Sequence, residues 1–423
     1  MPVSDSVFLT EFRRNWRVLL VAFVCLLIAF SAPAFALPFM FGPIIDDLGW
    51  TREQATLLAS AKYLTGSVVA VIIGRFIDVI GVRNVLLGVS VIGGIALVSF
   101  LWVTSLTHYY LAGAMLGIAG PGTIVAIKVL ISRNFHASQG TAMGIALLGP
   151  SVGAMIVPFA ITYLIGAYGW RAATALMSSG IWLVALPMMI FLLTDKSFEG
   201  TGPQDGTNPH KPSVLTWKIV RDFIRLGRFW LISAAVFAAA FVDQAMIQHQ
   251  VLYLEFDLGL APGYVAAGIS AMAFVALLGR PLVGAFYDRL SIKGVSLTYL
   301  ALSAACLLAL AAVNPFVFGA YVVFRAIAHS SVLLDTVILA KHTFGLTHIG
   351  ILLGAFTAFV NLGFALGNWF MGYMFDTTGS YVVPFVVCAV IGLFAALVLL
   401  PVRPDYWLGM RNPGRATPES RPN

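Results

Sequence analysis

Leu278-Gly279-Arg280-Pro281-Leu282-Val283-Gly284-Ala285-Phe286-Tyr287-Asp288 sets an arginine inside an apolar run and beside a proline. Pro281 removes a backbone donor and loosens a helix at that point. A charge at the centre of a bilayer-spanning helix costs about 2.5–3.5 kcal/mol on insertion scales, so Arg280 needs a partner or a function. The stretch ends in Gly284-x-x-x-Asp288, and the same turn stands 210 residues earlier as Gly74-x-x-x-Asp78. The earlier copy has Ala70 where the later one has Arg280. A charge added to one copy of a duplicated frame is the pattern expected of ligand chemistry. An internal salt bridge that closes the two copies on each other is the alternative.

The surrounding chain supplies a membrane. Of 423 residues, 60% are hydrophobic and 10% charged, against about 25% charged in soluble domains. Twelve apolar segments can be read, at about 17–42, 54–77, 84–104, 108–131, 141–166, 171–193, 229–254, 263–286, 294–313, 316–340, 349–374 and 381–401. Each is near the roughly 20 residues a spanning helix needs. Strands of a membrane barrel would be half as long and alternate in polarity. Between the sixth and seventh segments, 194–228 reads as a polar linker, whose part from Val214 to Arg228 predicts a surface helix. Of the 25 Lys and Arg, 19 fall on the side of the N-terminus, 2 on the other and 4 within segments. That bias puts both termini in the cytoplasm. Arg13, Arg14 and Arg17 before an apolar run, with Ala34-Phe35-Ala36 after it, resemble a secretory signal. The run continues through Met40, and the repeat needs it as its first member, so an uncleaved span is expected. Cys25, Cys306 and Cys388 lie in apolar runs without ligand spacing.

The repeat holds at one offset. Adding 210 takes Asp47-Leu48-Gly49 to Asp257-Leu258-Gly259, Arg83 to Lys293, Gly144 to Gly354, Gly153 to Gly363, Tyr163 to Tyr373 and Gly169 to Gly379. The expected fold is an all-α membrane protein with 12 transmembrane helices in two pseudo-symmetric six-helix bundles (6+6). The expected organisation is a first bundle at 1–193, a cytoplasmic linker at 194–228, a second bundle at 229–402 and a cytoplasmic tail at 403–423. A multi-pass protein of a cell membrane, the bacterial inner membrane, is expected.

Gly74-Arg75-Phe76-Ile77-Asp78-Val79-Ile80-Gly81-Val82-Arg83 resembles the Gly-x-x-x-Asp-Arg-x-Gly-x-Arg signature of the major facilitator superfamily, with Val79 in place of a base. Gly284-x-x-x-Asp288-Arg289 is its second copy. Glycine lets two helices approach, and the aspartate can accept from a neighbouring helix N-terminus and a basic side chain. Gly74, Asp78, Arg83, Gly284, Asp288 and Arg289 are therefore expected to form a cytoplasmic latch; a plain tight turn is the alternative. Within the superfamily the chain looks most like monocarboxylate transporters and the oxalate:formate antiporter family. Four stretches carry this: Leu48-Gly49-Trp50-Thr51-Arg52, Gly140-Thr141-Ala142-Met143-Gly144, Gly279-Arg280-Pro281 and Phe375-Asp376-Thr377-Thr378-Gly379-Ser380-Tyr381. The resemblance implies that Arg280 binds a substrate carboxylate, and that the first, fourth, seventh and tenth segments line a cavity. Those transporters often carry an acid one turn before the arginine; here it is Ala276, so that coupling pair is not reproduced.

Other polar residues fall within the apolar segments. Guanidinium pairs with carboxylate through two parallel hydrogen bonds, which lysine does not reproduce. Asp243, followed by Gln244, Gln248 and His249, is the expected proton-coupling acid, with a permanent ion pair as the alternative. His329, followed by Ser330, could donate to the substrate or titrate, or pack as a satisfied core residue. Lys128 and Asp335 have similar expected depth and suggest a gate pair, with Asp335 a second coupling candidate. Lys62 would attract anions or pair with an acid; Arg325 reads as structural. Phe35 and Tyr63 are candidates to line the pocket. Gly144-Ile145-Ala146-Leu147-Leu148-Gly149-Pro150-Ser151-Val152-Gly153 resembles a Gly-Pro motif of drug:proton antiporters, but small residues four apart more often mean close helix packing.

The expectation is a secondary transporter of small organic anions, a proton-coupled monocarboxylate transporter working by alternating access. An anion exchanger, a drug:proton antiporter and a non-transporting receptor are the alternatives. Its expected partners are a small carboxylate, protons and membrane lipid. Nucleic acid is not expected, because the basic residues lie in short loops. Gly117-Ile118-Ala119-Gly120-Pro121-Gly122 lacks the strand–turn–helix of a dinucleotide site, and His342 and His348 make no metal site. No cofactor and no clustered catalytic residues are read, so an enzyme is not expected.

Overall fold

The computed structural model describes residues 5–135, 138–193, 221, 223–331, 334–344 and 349–402. Most of the expected linker and the tail 403–423 lie outside the described residues, as does most of the surface helix expected from Val214. Every regular element among the described residues is helical. In chain order these are α1 (Glu11–Leu48), α2 (Arg52–Ile80), α3 (Val82–Trp102), α4 (Leu106–Asn134), α5 (Thr141–Leu192), α6 (Gly227–Asp257), α7 (Pro262–Leu290), α8 (Ile292–Leu310), α9 (Pro315–Ser331), α10 (Leu334–Phe344), α11 (Ile349–Thr378) and α12 (Val382–Val398). Among the described residues, eight helices are long and apolar enough to cross a membrane, or ten if each of two bent pairs is one span: α2, which bends between Ala70 and Ile72, and α9 with α10.

Local chemistry sets the ends and bends. Thr51 starts α2 with a capping box, accepting from Gln54 N at 3.2 Å while the Gln54 side chain accepts from Thr51 N at 3.1 Å. That satisfies two of the donors a helix start leaves open. In α1, Pro33, Pro38 and Pro43 withhold N–H groups from the ladder, and a π turn over Leu26–Phe30 takes up part of the mismatch. The run of α5 is broken at Gly169, whose φ of 76° is left-handed.

The duplication is written in the backbone. Six described residues have positive φ: Gly49, Gly81, Gly169, Gly259, Ser291 and Gly379. They form three pairs at the 210-residue offset, so each special turn of the first copy recurs in the second. Ser291 stands where the first copy has glycine; its hydroxyl hydrogen-bonds the His342 ring. Packing repeats too. A Cβ on Gly153 would lie 3.3 Å from Leu27 O, and one on Gly363 would lie 2.5 Å from Phe237 O, the equivalent carbonyl. The small residues of the Gly149–Gly153 motif thus let α5 lie against α1, as Gly363 and Gly367 let α11 lie against α6.

The copies meet mainly through α2 against α11 and α5 against α7. At the Gly49/Gly259 end they are sealed. Asn368 donates to Thr56 O at 2.6 Å and to Ser60 Oγ at 2.9 Å, Ser60 donates to Ala365 O at 2.8 Å, and Phe256 packs onto Gly42. At the other end, a Cβ added at Gly74, Gly144, Gly284 or Gly354 of the same four helices meets nothing within 4 Å. α6 is buried along nearly its whole length, which holds Asp243 at the centre of the molecule.

Candidate functional site

A cavity of about 700 Å³, counted out to its mouth, lies between the copies. Phe35 and Phe39 of α1, Ser151 of α5, Gln250 of α6, Arg280 of α7 and His329 of α9 are on its wall. Arg280 and His329 are its two ionisable lining residues. Arg280 is exposed and donates from Nη1 to Ser151 Oγ at 3.0 Å. Among the described residues no carboxylate pairs with it. A guanidinium with one neutral partner keeps donors free, directed by a planar fork that fits a carboxylate.

Beside this wall lies a fully buried ion pair. Arg325 Nη1 donates to Asp243 Oδ1 at 2.7 Å and Nη2 to Asp243 O at 2.9 Å. The side chains are 0% and 3% exposed. His329 Nδ1 is 3.6 Å from Asp243 Oδ1 and has no hydrogen-bond partner. Asp243 thus takes the ion-pair place given above as the alternative to proton coupling. Arg325, read from the sequence as structural, supplies both hydrogen bonds that hold it. The missed signal was spacing: Arg325 and His329 are four apart on α9 and share a face.

The remaining candidates are spread out. Tyr63 packs on Phe364, with ring centroids 5.2 Å apart, and is not on the cavity wall. Lys62 is buried with its ammonium 5.4 Å from the Tyr63 ring centre. Ser330 donates to Ala326 O at 2.7 Å and Ala276 O at 3.1 Å, so its hydroxyl serves helix packing here. Asp335 accepts from Tyr299 at 2.8 Å and shares a second cavity with Asp243. Lys128 is exposed and Asp335 buried; the two do not pair, because depth along a helix does not fix which face a side chain occupies. Of the latch residues, Asp78 is 3.8 Å from Arg133 of α4 and Arg83 donates to Ile190 O at 3.0 Å. Asp288 and Arg289 are exposed.

Sequence reading also missed the seal. Arg52 Nη1 is 2.5 Å from Asp257 Oδ2, and the Arg52 guanidinium stacks over Phe375 at 3.7 Å. Asp376 accepts from the backbone N–H groups of Arg52 and Glu53 at 3.1 and 2.8 Å, capping α2 from the opposite copy. Trp369 donates to Glu53 at 2.7 Å. Two of the four stretches singled out by resemblance, around Trp50 and Asp376, therefore meet each other.

The family model for the Major Facilitator Superfamily matches residues 19–333, which include Asp243, Arg280, Arg325 and His329. The chain belongs to the major facilitator superfamily. It is a multi-pass membrane protein of a transporter family. Among curated members, it is 27% identical to rat Monocarboxylate transporter 13 over 339 residues, 76% of this chain and 73% of that one. It is 24% identical to the "Probable sulfoacetate transporter SauU" of Cupriavidus necator over 382 residues, 85% of this chain and 88% of that one. A bacterial homologue of the human lysosomal transporter Spinster, solved inward-facing and unoccupied, shares the fold with a TM-score of 0.67 at 17% identity, covering 93% of this chain and 96% of that one. Arg280 of this superfamily member thus lies on the wall of a cavity between two packed copies, hydrogen-bonded to Ser151.

Proposed function

We propose that this superfamily member is a secondary transporter of small organic anions, monocarboxylates first among them, working by alternating access. One observation carries the proposal: Arg280 opens into the cavity between the copies with Ser151 as its partner and no acid beside it. An unneutralised guanidinium in a largely apolar cavity favours an anion as its ligand. The names of the relatives agree, since monocarboxylates and sulfoacetate both present a carboxylate. Twelve spans fit the helices when each bent pair is one span, α5 is divided at Gly169 and α12 is added. With the termini cytoplasmic, the sealed end is the outer one and the cavity faces inward.

The test is uptake of a panel of labelled formate, acetate, lactate, oxalate and sulfoacetate into proteoliposomes, with and without an inward proton gradient. Arg280→Lys is expected to lower uptake of the carried anion at least about 100-fold, because a point charge does not replace a two-pronged donor. Uptake retained in that variant removes Arg280 as the carboxylate site. Exchange without a proton is the second reading, and one observation favours it: Asp243, the expected coupling acid, is already committed to Arg325.

A further inference from the structure

We propose that His329 carries the coupling proton of this transporter, and that the buried Arg325–Asp243 pair is the fixed acceptor that positions its ring. The proposal rests on the anion-transport reading above and deepens it.

Three observations carry it. First, Asp243 receives two hydrogen bonds from Arg325, one on Oδ1 and one on its carbonyl, and neither side chain is more than 3% exposed. A carboxylate fixed in this way is held as an ion-pair partner, and the cavity it does line, with Asp335, is not the one that holds Arg280. Second, His329 lines the Arg280 cavity and is 26% exposed, so water from the cavity reaches it. Third, its Nδ1 is unpartnered at 3.6 Å from Asp243 Oδ1, beyond hydrogen-bond distance but within ion-pair range. Neutral imidazole offers one donor and one acceptor, whereas imidazolium offers two donors. Protonation therefore fixes an N–H on Nδ1 and puts a positive charge within ion-pair range of Oδ1, which the neutral ring, whose single proton can sit on either nitrogen, does not.

The step balances simply. A hydronium ion in the cavity loses an O–H bond, a ring nitrogen gains an N–H bond, and the reverse occurs when the cavity faces the other side. Histidine is the side chain whose charge ordinarily changes between about pH 5 and 8. The charged groups around His329 are Asp243 from α6, Arg325 from its own helix and Arg280 from α7; Tyr63 of α2 faces Asp243. The cavity-lining residues of α1 and α5 are not ionisable. Asp243 and Arg325 cancel, so imidazolium adds one positive charge beside Arg280. A carboxylate on Arg280 and a proton on His329 then favour each other, and the loaded cavity gains no net charge. Linkage makes this reciprocal: the anion draws in the proton as the proton draws in the anion.

The experiment uses purified full-length protein in weakly buffered detergent, with lactate as the probe or, if wild type does not bind it, the panel anion it does bind. A pH dye reads proton uptake on anion addition, and binding is measured across pH 5 to 8. The expected result is uptake of about one proton per anion in wild type, with affinity that weakens as the pH rises. In His329→Gln the proton uptake disappears and the affinity changes by less than about twofold per unit. Proton uptake that persists in His329→Gln overturns the proposal. So does wild-type binding with no proton taken up. If His329→Gln does not fold, His329→Asn is read in the same way. Failure of the underlying reading is separate: lactate binding unchanged by Arg280→Lys would remove the anion site itself.

Discussion

Arg52 and Asp257 pair across the two copies at 2.5 Å, and the repeat explains why they do. Asp257 is the equivalent of Asp47, which pairs with Arg171 within the first copy. The equivalent of Arg171 is Tyr381, so Asp257 has no base at that position. Arg52 of the first copy fills the gap, stacked on Phe375 and 5.0 Å from the Tyr381 ring centre. The bond between copies thus takes the place that an internal ion pair holds in the first copy. Such a bond exists only while this end is closed.

Arg52→Ala is therefore expected to favour the state open at the sealed end. A partly exposed ion pair contributes up to about 1 kcal/mol and a cation–π contact about 0.5–2 kcal/mol. Together they predict a shift of roughly 2–150-fold in the ratio of open to closed molecules. Ser60→Cys is a suitable reporter, since Ser60 is buried in the seal and the native Cys25, Cys306 and Cys388 are all buried. Maleimide labelling at Ser60→Cys should rise in the Arg52→Ala background. Equal labelling in both backgrounds would show that the pair does not hold the seal.

Ser151→Ala tests how Arg280 is aimed. The hydroxyl makes the one hydrogen bond seen on Arg280, at 3.0 Å. A net hydrogen bond contributes about 0.5–1.5 kcal/mol, so KM for the carried anion should rise by roughly 2–10-fold with kcat little changed. A fall in kcat at constant KM would instead assign Ser151 to the conformational step.

Asp243 and Arg325 should behave as a unit. Removing one partner of a buried ion pair strands the other charge and costs about 3–5 kcal/mol. Asp243→Asn and Arg325→Gln are each expected to lower thermal stability in detergent substantially, and the double variant to be more stable than either single one. Additive losses would contradict the geometry.

Much of the frame was legible in the sequence because it depends on periodic quantities. The 210-residue offset read from Gly74, Asp78, Gly153 and their copies recurs in the φ angles of Gly49, Gly81 and Gly169 and their equivalents. Long apolar helices were readable because a bilayer demands them, although the bend at Ala70 and the break at Gly169 interrupt two of them. Arg280 and Phe35 reach the cavity by lying on helix faces turned toward the other copy. What could not be read is the rotation of each helix. Asp243 and Arg280 are at plausible depths for a pair, yet α6 turns Asp243 toward α9. The seal was invisible for a different reason: Arg52, Asp257 and Asp376 are polar residues at segment ends, and nothing in one sequence distinguishes a bond between copies from a solvated loop.

The latch glycines separate the two end states most directly. In this structure a Cβ on Gly74 or Gly284 meets only open space. Gly74→Leu and Gly284→Leu should therefore be accepted without loss of thermal stability here. Closure of this end requires α2 and α7 to approach α11 and α5, and a leucine at either position would then meet a neighbouring helix. Overpacking of that kind costs about 1–3 kcal/mol, enough to hold roughly 5–100-fold more molecules in the present state. The expected outcome is slower uptake with reduced maleimide labelling at Ser60→Cys, opposite in sign to Arg52→Ala. Combining Gly74→Leu with Arg52→Ala should bring labelling back toward the wild-type level, because the two changes act on one equilibrium from opposite ends. Labelling in the double variant equal to that of Arg52→Ala alone would show that the ends open independently, and alternating access would have to be abandoned.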